Sequence, residues 1–199
     1  MGLVEVERVY REWDVTLDWT PFFLDPSIQP EGRTRTPTTT PDTPPSAMEL
    51  RGEALGIKFA RGRTFQPHTH LALEAGEWVA DHGDTEQVIE FHRRLFRAHF
   101  TDHESLMDLD VLARKATATG LDGAALRAAL EAGEVRAIVD EAIEHAYAIG
   151  VTAIPTFVFD NRYAIVGAHE YPAFVNVLEQ LGARRREVPL PQPSEPPRA

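Results

Sequence analysis

The stretch AIGVTAIPTFVFDNRYAIVGA, residues 148–168, constrains the fold more than any other part of the chain. Pro155 stands between β-branched Ile154 and the run Thr156-Phe157-Val158-Phe159. It cannot lie inside a helix, and it cannot donate to a central ladder. It therefore marks a strand entrance, and an X-Pro bond is the one kind of bond for which a cis form is cheap. TFVF, DNR and YAIVG then read as a β-hairpin, with Asp160-Asn161 supplying the turn between two β-rich runs. A helix follows, with Phe174, Val177, Leu178 and Leu181 along one face and Gly182 as its stop.

Upstream, LVEVERVYREW places Leu3, Val6, Tyr10 and Trp13 on one helical stripe. DVTLDWT alternates Val15, Leu17 and Trp19 against Asp14, Thr16, Asp18 and Thr20, which predicts a strand ended by Pro21. Residues 25–47 carry Pro26, Pro30, Pro37, Pro41, Pro44 and Pro45 among Thr, Ser, Gly and charged residues, too polar and broken for regular structure. From 46 to 148 the pattern is helical almost throughout. Helix starts are signalled by Ser46, Asp84, Ser105 and Asp122. The apolar stripes Leu71/Ala75/Trp78/Val79, Val88/Phe91/Leu95/Phe96 and Val135/Ile138/Val139/Ala142/Ile143/Ala146 read as core.

The expected organisation is a core from 1–24 and 149–182, a Pro/Thr-rich loop at 25–45, a helical insertion at 46–148 and a disordered tail at 183–199, ARRREVPLPQPSEPPRA. The core looks one strand short, because a hairpin and a lone strand do not make a stable sheet.

A formal charge of −11 gives phosphate backbones and anionic lipids little attraction, so neither nucleic acid nor membrane is an expected partner. No apolar run approaches the roughly 20 residues of a bilayer span. The opening Met1-Gly2-Leu3-Val4-Glu5-Val6-Glu7 lacks the order of a signal peptide, which gives a cytoplasmic expectation. The chain has 0 cysteines, so disulfides, thiolate metal sites, Cys nucleophiles and dithiol chemistry are excluded for it in isolation.

Eight histidines invite a metal reading, strongest for His99 and His103 at i and i+4. AHFTDHES reads as ending a helix between them, however, and His99 continues the apolar stripe of Leu95, so a hydrogen-bonded core role is the better account and no metal is expected. Asp108 with Asp110, and Glu141 with Glu144, read as solvated helix faces. There is no Gly-rich phosphate loop and no G-x-S-x-G elbow.

The pattern G-V-x-x-I-P-T-F-V-F-D-x-R-Y-x-I-x-G-A, with a preceding strand, a long helical insertion and a closing helix, resembles the DsbA family of thioredoxin-fold proteins over about residues 1–182. It is nearest to the FrnE-like branch, which includes relatives of 2-hydroxychromene-2-carboxylate isomerase. W-x-P-F-F-L-D-P at 19–26, F-x-x-H-x-x-L-A-L-x-A-x-x-W-x-x-x-H-G from Phe65, and L-F-R-A-H-F at 95–100 support it. The resemblance implies an α/β thioredoxin-like fold with a large all-helical insertion, and makes Pro155 the family's cis-proline. Such a bond leaves nearby main-chain groups free to pair with an extended substrate. The implied substrate-binding residues are Ile154, Pro155 and Thr156, with His68 above the cleft. His68 reads equally well as an exposed neighbour of a helix N-cap.

The family's C-x-x-C motif lies between its first strand and first helix. On that pattern Met1-Gly2 falls just after the motif, so the first central strand and both cysteines would lie upstream. Two explanations are open: Met1 is an internal methionine of a longer protein, or a real truncation is rescued by direct strand pairing or by a second copy in a homodimer. The implied function is that of a DsbA-like, FrnE-type thiol-disulfide oxidoreductase family member, redox-inactive in this Cys-free form. The alternatives are a non-catalytic module for an extended peptide or small thiol, and a glutathione-dependent isomerase-like enzyme. No cofactor is expected, with glutathione as a candidate ligand.

Overall fold

The structure, a computed structural model, describes residues 1–191. In chain order its elements are α1 (Gly2–Glu12), β1 (Arg33–Thr34), α2 (Ala47–Ala54), β2 (Phe65–Gln66), α3 (His70–His82), α4 (Thr85–Phe100), α5 (Leu109–Thr117), α6 (Gly123–Ala132), α7 (Arg136–Ala148), β3 (Thr156–Phe159), β4 (Tyr163–Val166) and α8 (Tyr171–Gln180). The chain divides into two compact units: Met1–Asp18 with the chain from Ala153 onward, and the segment Trp19–Thr152 inserted between them. The boundaries therefore give Trp19–Leu24 and residues 149–152 to the helical unit instead of the core expected from sequence. Among the described residues, no helix is long and apolar enough to cross a membrane.

In the first unit, β3 and β4 form an antiparallel hairpin in the register Thr156↔Val166, Phe157↔Ile165, Val158↔Ala164 and Phe159↔Tyr163. Asp160 and Asn161 take φ of 51° and 50°, the left-handed turn their side chains tolerate. The register puts Phe157 and Ile165 on the same face, and with Phe159 they pack against the helices. Val9, Trp13, Tyr171, Phe174 and Leu178 complete this core. Phe174 is its centre, edge-on to Phe157 at 4.9 Å and to Phe159 at 6.0 Å. Burying a side chain of this size is worth about 1.5–3 kcal/mol. Val158 and Val166 point the other way and are exposed. Among the described residues, β3 pairs with β4 alone.

Three expectations for this unit need correction. Residues 14–20 do not form a strand: among the described residues, the one ladder contact nearby is the bridge Trp13↔Arg185, flanked by Asp14 N–H donating to Arg184 O (2.9 Å) and Arg186 N–H to Glu12 O (2.8 Å). Alternation alone does not make a strand without a neighbour to pair with. The tail expected to be disordered from 183 is instead docked over residues 183–191, where Leu190 N–H also donates to Arg11 O (3.1 Å) and Arg11 Nε to Pro191 O (3.1 Å). The rest of the expected tail, 192–199, lies outside the described residues. Finally, α1 buries Glu5, Val9 and Arg11, while Leu3, Val6 and Tyr10 are only half-buried. Arg11 is buried, with Nε donating to Pro191 O and Nη1 lying 3.7 Å from Glu7 Oε2.

In the second unit, α3 to α6 enclose a core containing Ala75, Val79, Phe91, Leu112, Ala116 and Leu126. The cap signals at Ser46, Asp84 and Asp122 all mark real starts. Asp84 and Gln87 form a reciprocal capping box at 2.9 and 3.0 Å. Ser105 does not cap α5, whose N-cap is Asp108. On α7, Val139, Ile143 and Ala146 are buried, whereas Ile138, expected on that stripe, is exposed.

The proline-rich segment is less irregular than its composition implies. Arg33–Thr34 pairs with Phe65–Gln66 as a short antiparallel ribbon. Arg33 Nη2 ties it by donating to Asp25 Oδ2 and Gln66 Oε1, both at 2.8 Å. Main-chain pairing needs no apolar side chain, so polarity alone does not exclude a two-residue strand.

Candidate functional site

Pro155 stands one residue before β3, and the Ile154–Pro155 peptide bond is cis. Gly167 N–H donates to Pro155 O at 2.7 Å, extending the hairpin ladder by one bond to the base of this loop. Thr156 Oγ1 donates to Ala153 O at 2.7 Å and closes the loop from the other side. Ile154 projects outward, 49% exposed. Among the described residues, no hydrogen bond engages the main-chain N–H or C=O of Ile154. The loop thus presents, among the described residues, a main-chain donor and acceptor without a hydrogen-bond partner beside an exposed apolar side chain.

The start of α1 meets this loop. A Cβ placed on Gly2 would lie 3.1 Å from Pro155 Cγ and 3.0 Å from Phe157 Cζ, so any larger residue there would need the proline and phenylalanine rings to give by a few tenths of an ångström. The first-turn N–H groups of α1 give that end a partial positive charge.

At the other end of α1, a relay of hydrogen bonds joins it to α8. Trp13 Nε1 donates to Tyr171 Oη (2.9 Å), Tyr171 Oη donates to Glu12 Oε2 (2.6 Å), and Arg8 Nε donates to Glu12 Oε1 (2.8 Å). The Arg8 guanidinium also lies 3.7 Å over the Tyr171 ring. The hydrogen bonds from Arg8 and then Tyr171 hold the Glu12 carboxyl below the usual carboxylate range. Burial, reinforced by Glu12, pushes the Tyr171 hydroxyl up. The relay fixes α1, and with it the position of Gly2.

Ile154, Pro155 and Thr156 are thus brought together in one loop of the first unit. His68 belongs to the helical unit, just before Thr69, the N-cap of α3. Its ring lies 4.7 Å from Phe23 and 6.0 Å from His70. Burial, followed by the nearby His70, pushes its pKa down. His70 is itself clamped between Glu74 Oε1 (2.9 Å) and Asp140 Oδ1 (2.8 Å), and Arg136 Nε reaches the same buried Glu74 at 3.3 Å. His99 and His103 do not share a helical face, because α4 ends at Phe100 and His103 has φ 56°.

Sequence reasoning missed Gly2, Phe157 and Gly167 as parts of the loop's surroundings. Gly2 carried a signal in retrospect: glycine is a costly residue to start a helix with unless something packs against it.

The chain belongs to the DSBA-like thioredoxin domain family, which it matches over residues 1–179. It has the DsbA-like thioredoxin fold with a helical insertion. It is 29% identical over 166 residues to protein YwbO of Bacillus subtilis (strain 168), covering 81% of this chain and 80% of that protein. Among solved structures it is similar to the "probable DsbA oxidoreductase SCO1869" of Streptomyces coelicolor, with a TM-score of 0.60 and 24% identity over 73% of this chain. This chain spans 61% of that structure's length. A structure from Nitrosomonas europaea matches with a TM-score of 0.52 and 16% identity, over 75% of this chain and 79% of its own.

Proposed function

We propose that the loop Ile154-Pro155-Thr156 is the binding groove of a FrnE-like DsbA-family protein, and that it takes an extended peptide or a small thiol compound such as glutathione. The observation that carries this reading is the open main chain of Ile154 beside Pro155, with the N-terminal end of α1 pressed against the same proline at Gly2. In the family as resembled, the redox dithiol stands at that helix start. In this sequence Met1-Gly2 occupies the place, and no residue of the chain is cysteine.

Thiol-disulfide exchange needs an attacking thiolate and a sulfur that leaves. This chain supplies neither, so by itself it binds without exchanging. A peptide strand, or the strand of a second copy, would add to the edge of β3 by β-augmentation. With a reduced thiol as ligand the reading is of a cytoplasmic protein, because glutathione keeps cytosolic thiols reduced.

The test is calorimetric titration with reduced glutathione and, separately, with a reduced unfolded polypeptide. Saturable binding to one of them that weakens in Ile154→Pro, which removes the open N–H, supports the groove. Heats indistinguishable from dilution for both ligands overturn it.

A further inference from the structure

A second site lies within the helical unit. The β1–β2 ribbon and the α4–α5 connection enclose a pocket of about 120 Å³ lined by Arg63, Thr64, Phe65, His99, His103 and Ser105, with Pro67 and Glu104 at its wall. Arg63 is half-buried there. Its guanidinium donates from Nη1 to His99 Nε2 and from Nη2 to the His99 carbonyl, and its Cζ lies 5.4 Å from the Phe100 ring centre. Among the described residues Arg63 makes no ion pair with a carboxylate. That is unusual in a chain with 31 acidic and 20 basic side chains.

The neighbouring charges sharpen the point. Arg35 N–H donates to Thr64 O at 2.8 Å, which anchors a second arginine beside the pocket, and it too makes no ion pair among the described residues. The one carboxylate at the wall, Glu104, is already taken by Arg114 (3.0 Å) and Lys115. His99 accepts from Arg63 at Nε2, so that nitrogen carries no proton, and the imidazole adds no charge of its own. The pocket is therefore a cationic recess with unspent guanidinium donors, hydroxyls at Thr64 and Ser105, and an apolar wall of Phe65 and Pro67.

We propose that this pocket binds a small organic carboxylate, whose charged end pairs with Arg63 and whose short apolar body lies on Phe65 and Pro67. Arginine in a partly buried setting favours planar oxyanions because its fork matches their geometry. The apolar wall selects an organic acid over a bare inorganic anion, and the small volume limits the body to about a single ring or short chain.

The test uses the full chain and sodium benzoate as probe, followed by amide NMR at constant ionic strength set with sodium chloride. The expected result is saturable shifts confined to residues 63–67 and 99–105, with sulfate and benzyl alcohol binding at least about tenfold more weakly. Arg63→Gln should lose the binding. If that variant fails to fold, Thr64→Asp, at an exposed position, supplies an internal carboxylate to Arg63 and should block benzoate without disturbing the fold. Shifts that do not saturate, benzyl alcohol binding as tightly as benzoate, or unchanged binding in Thr64→Asp would overturn the proposal. Sulfate binding as tightly as benzoate would overturn the organic-acid assignment.

Discussion

Gly2 lies against Pro155: the first residue of α1 touches the cis-proline loop so closely that a Cβ there would stand 3.1 Å from the proline ring. The helix start and the strand entrance form one surface, and its geometry depends on a missing side chain.

A bulky residue at position 2 should therefore destabilise the fold. Gly2→Val forces Phe157 and Pro155 apart and is expected to cost about 1–3 kcal/mol in urea unfolding. Gly2→Ala should cost less, since alanine's helix propensity returns up to about 1 kcal/mol.

The relay through Tyr171 makes a prediction in two parts. Tyr171→Phe leaves the buried Trp13 Nε1 without an acceptor and should cost about 1–3 kcal/mol. Glu12 is held below the usual carboxylate range by Arg8 and Tyr171, so the unfolded chain takes up its proton first as the pH falls. Its stabilising effect is present above the unfolded value and is lost as the pH falls through the lowered folded one. In Glu12→Gln, stability should fall less steeply below about pH 4.5.

His99 gives a second, separate pH window. Burial, with Arg63 and His103 adding to it, pushes its pKa from the ordinary 6.5 down to about 4. Between those values the unfolded chain binds the proton and the folded chain does not, so stability falls as the pH drops from 6.5 toward 4 and levels off below. The loss from this residue should be of order 3–4 kcal/mol, at about 1.4 kcal/mol per pH unit between 6.5 and about 4. His99→Gln should flatten that slope in unfolding curves taken at several pH values. The residue of slope left behind belongs to His68 and His92, which burial also pushes down.

The segment 183–191 should matter to stability. A chain ended at Gly182 loses the hydrogen bonds donated by Arg186 and Leu190 N–H, and uncovers Trp13, over whose ring Arg185 lies at 4.9 Å. A loss of about 2 kcal/mol is expected. An unchanged melting temperature would mean the segment does not dock.

Much of this was legible in the sequence because it is local. The hairpin follows from two β-rich runs around Asp160-Asn161, and the helix starts follow from Asp84 and Ser46 with their partners three residues on. The fold class followed from the motif around Pro155. What stayed hidden depended on distant partners. Val15, Leu17 and Trp19 alternate as a strand does, yet no strand of the described residues pairs with them. Arg11 reads as a surface charge, yet it is buried beneath Pro191, 180 residues away. Arg33 and Gln66 meet across a ribbon that polar, proline-rich sequence gives no reason to expect. At the candidate site, Ile154, Pro155 and Thr156 are adjacent in sequence and so were found together, while Gly2 reaches them only through the packing of α1 on the hairpin.

The most direct test of the account is to locate where a ligand binds. Amide NMR of the full chain titrated with reduced glutathione, and then with an extended peptide, should show saturable shifts centred on Ile154, Thr156, Gly167 and Gly2 for at least one of them. Shifts centred elsewhere, or none at these four residues with either ligand, would contradict the assignment of the Pro155 loop as the binding groove.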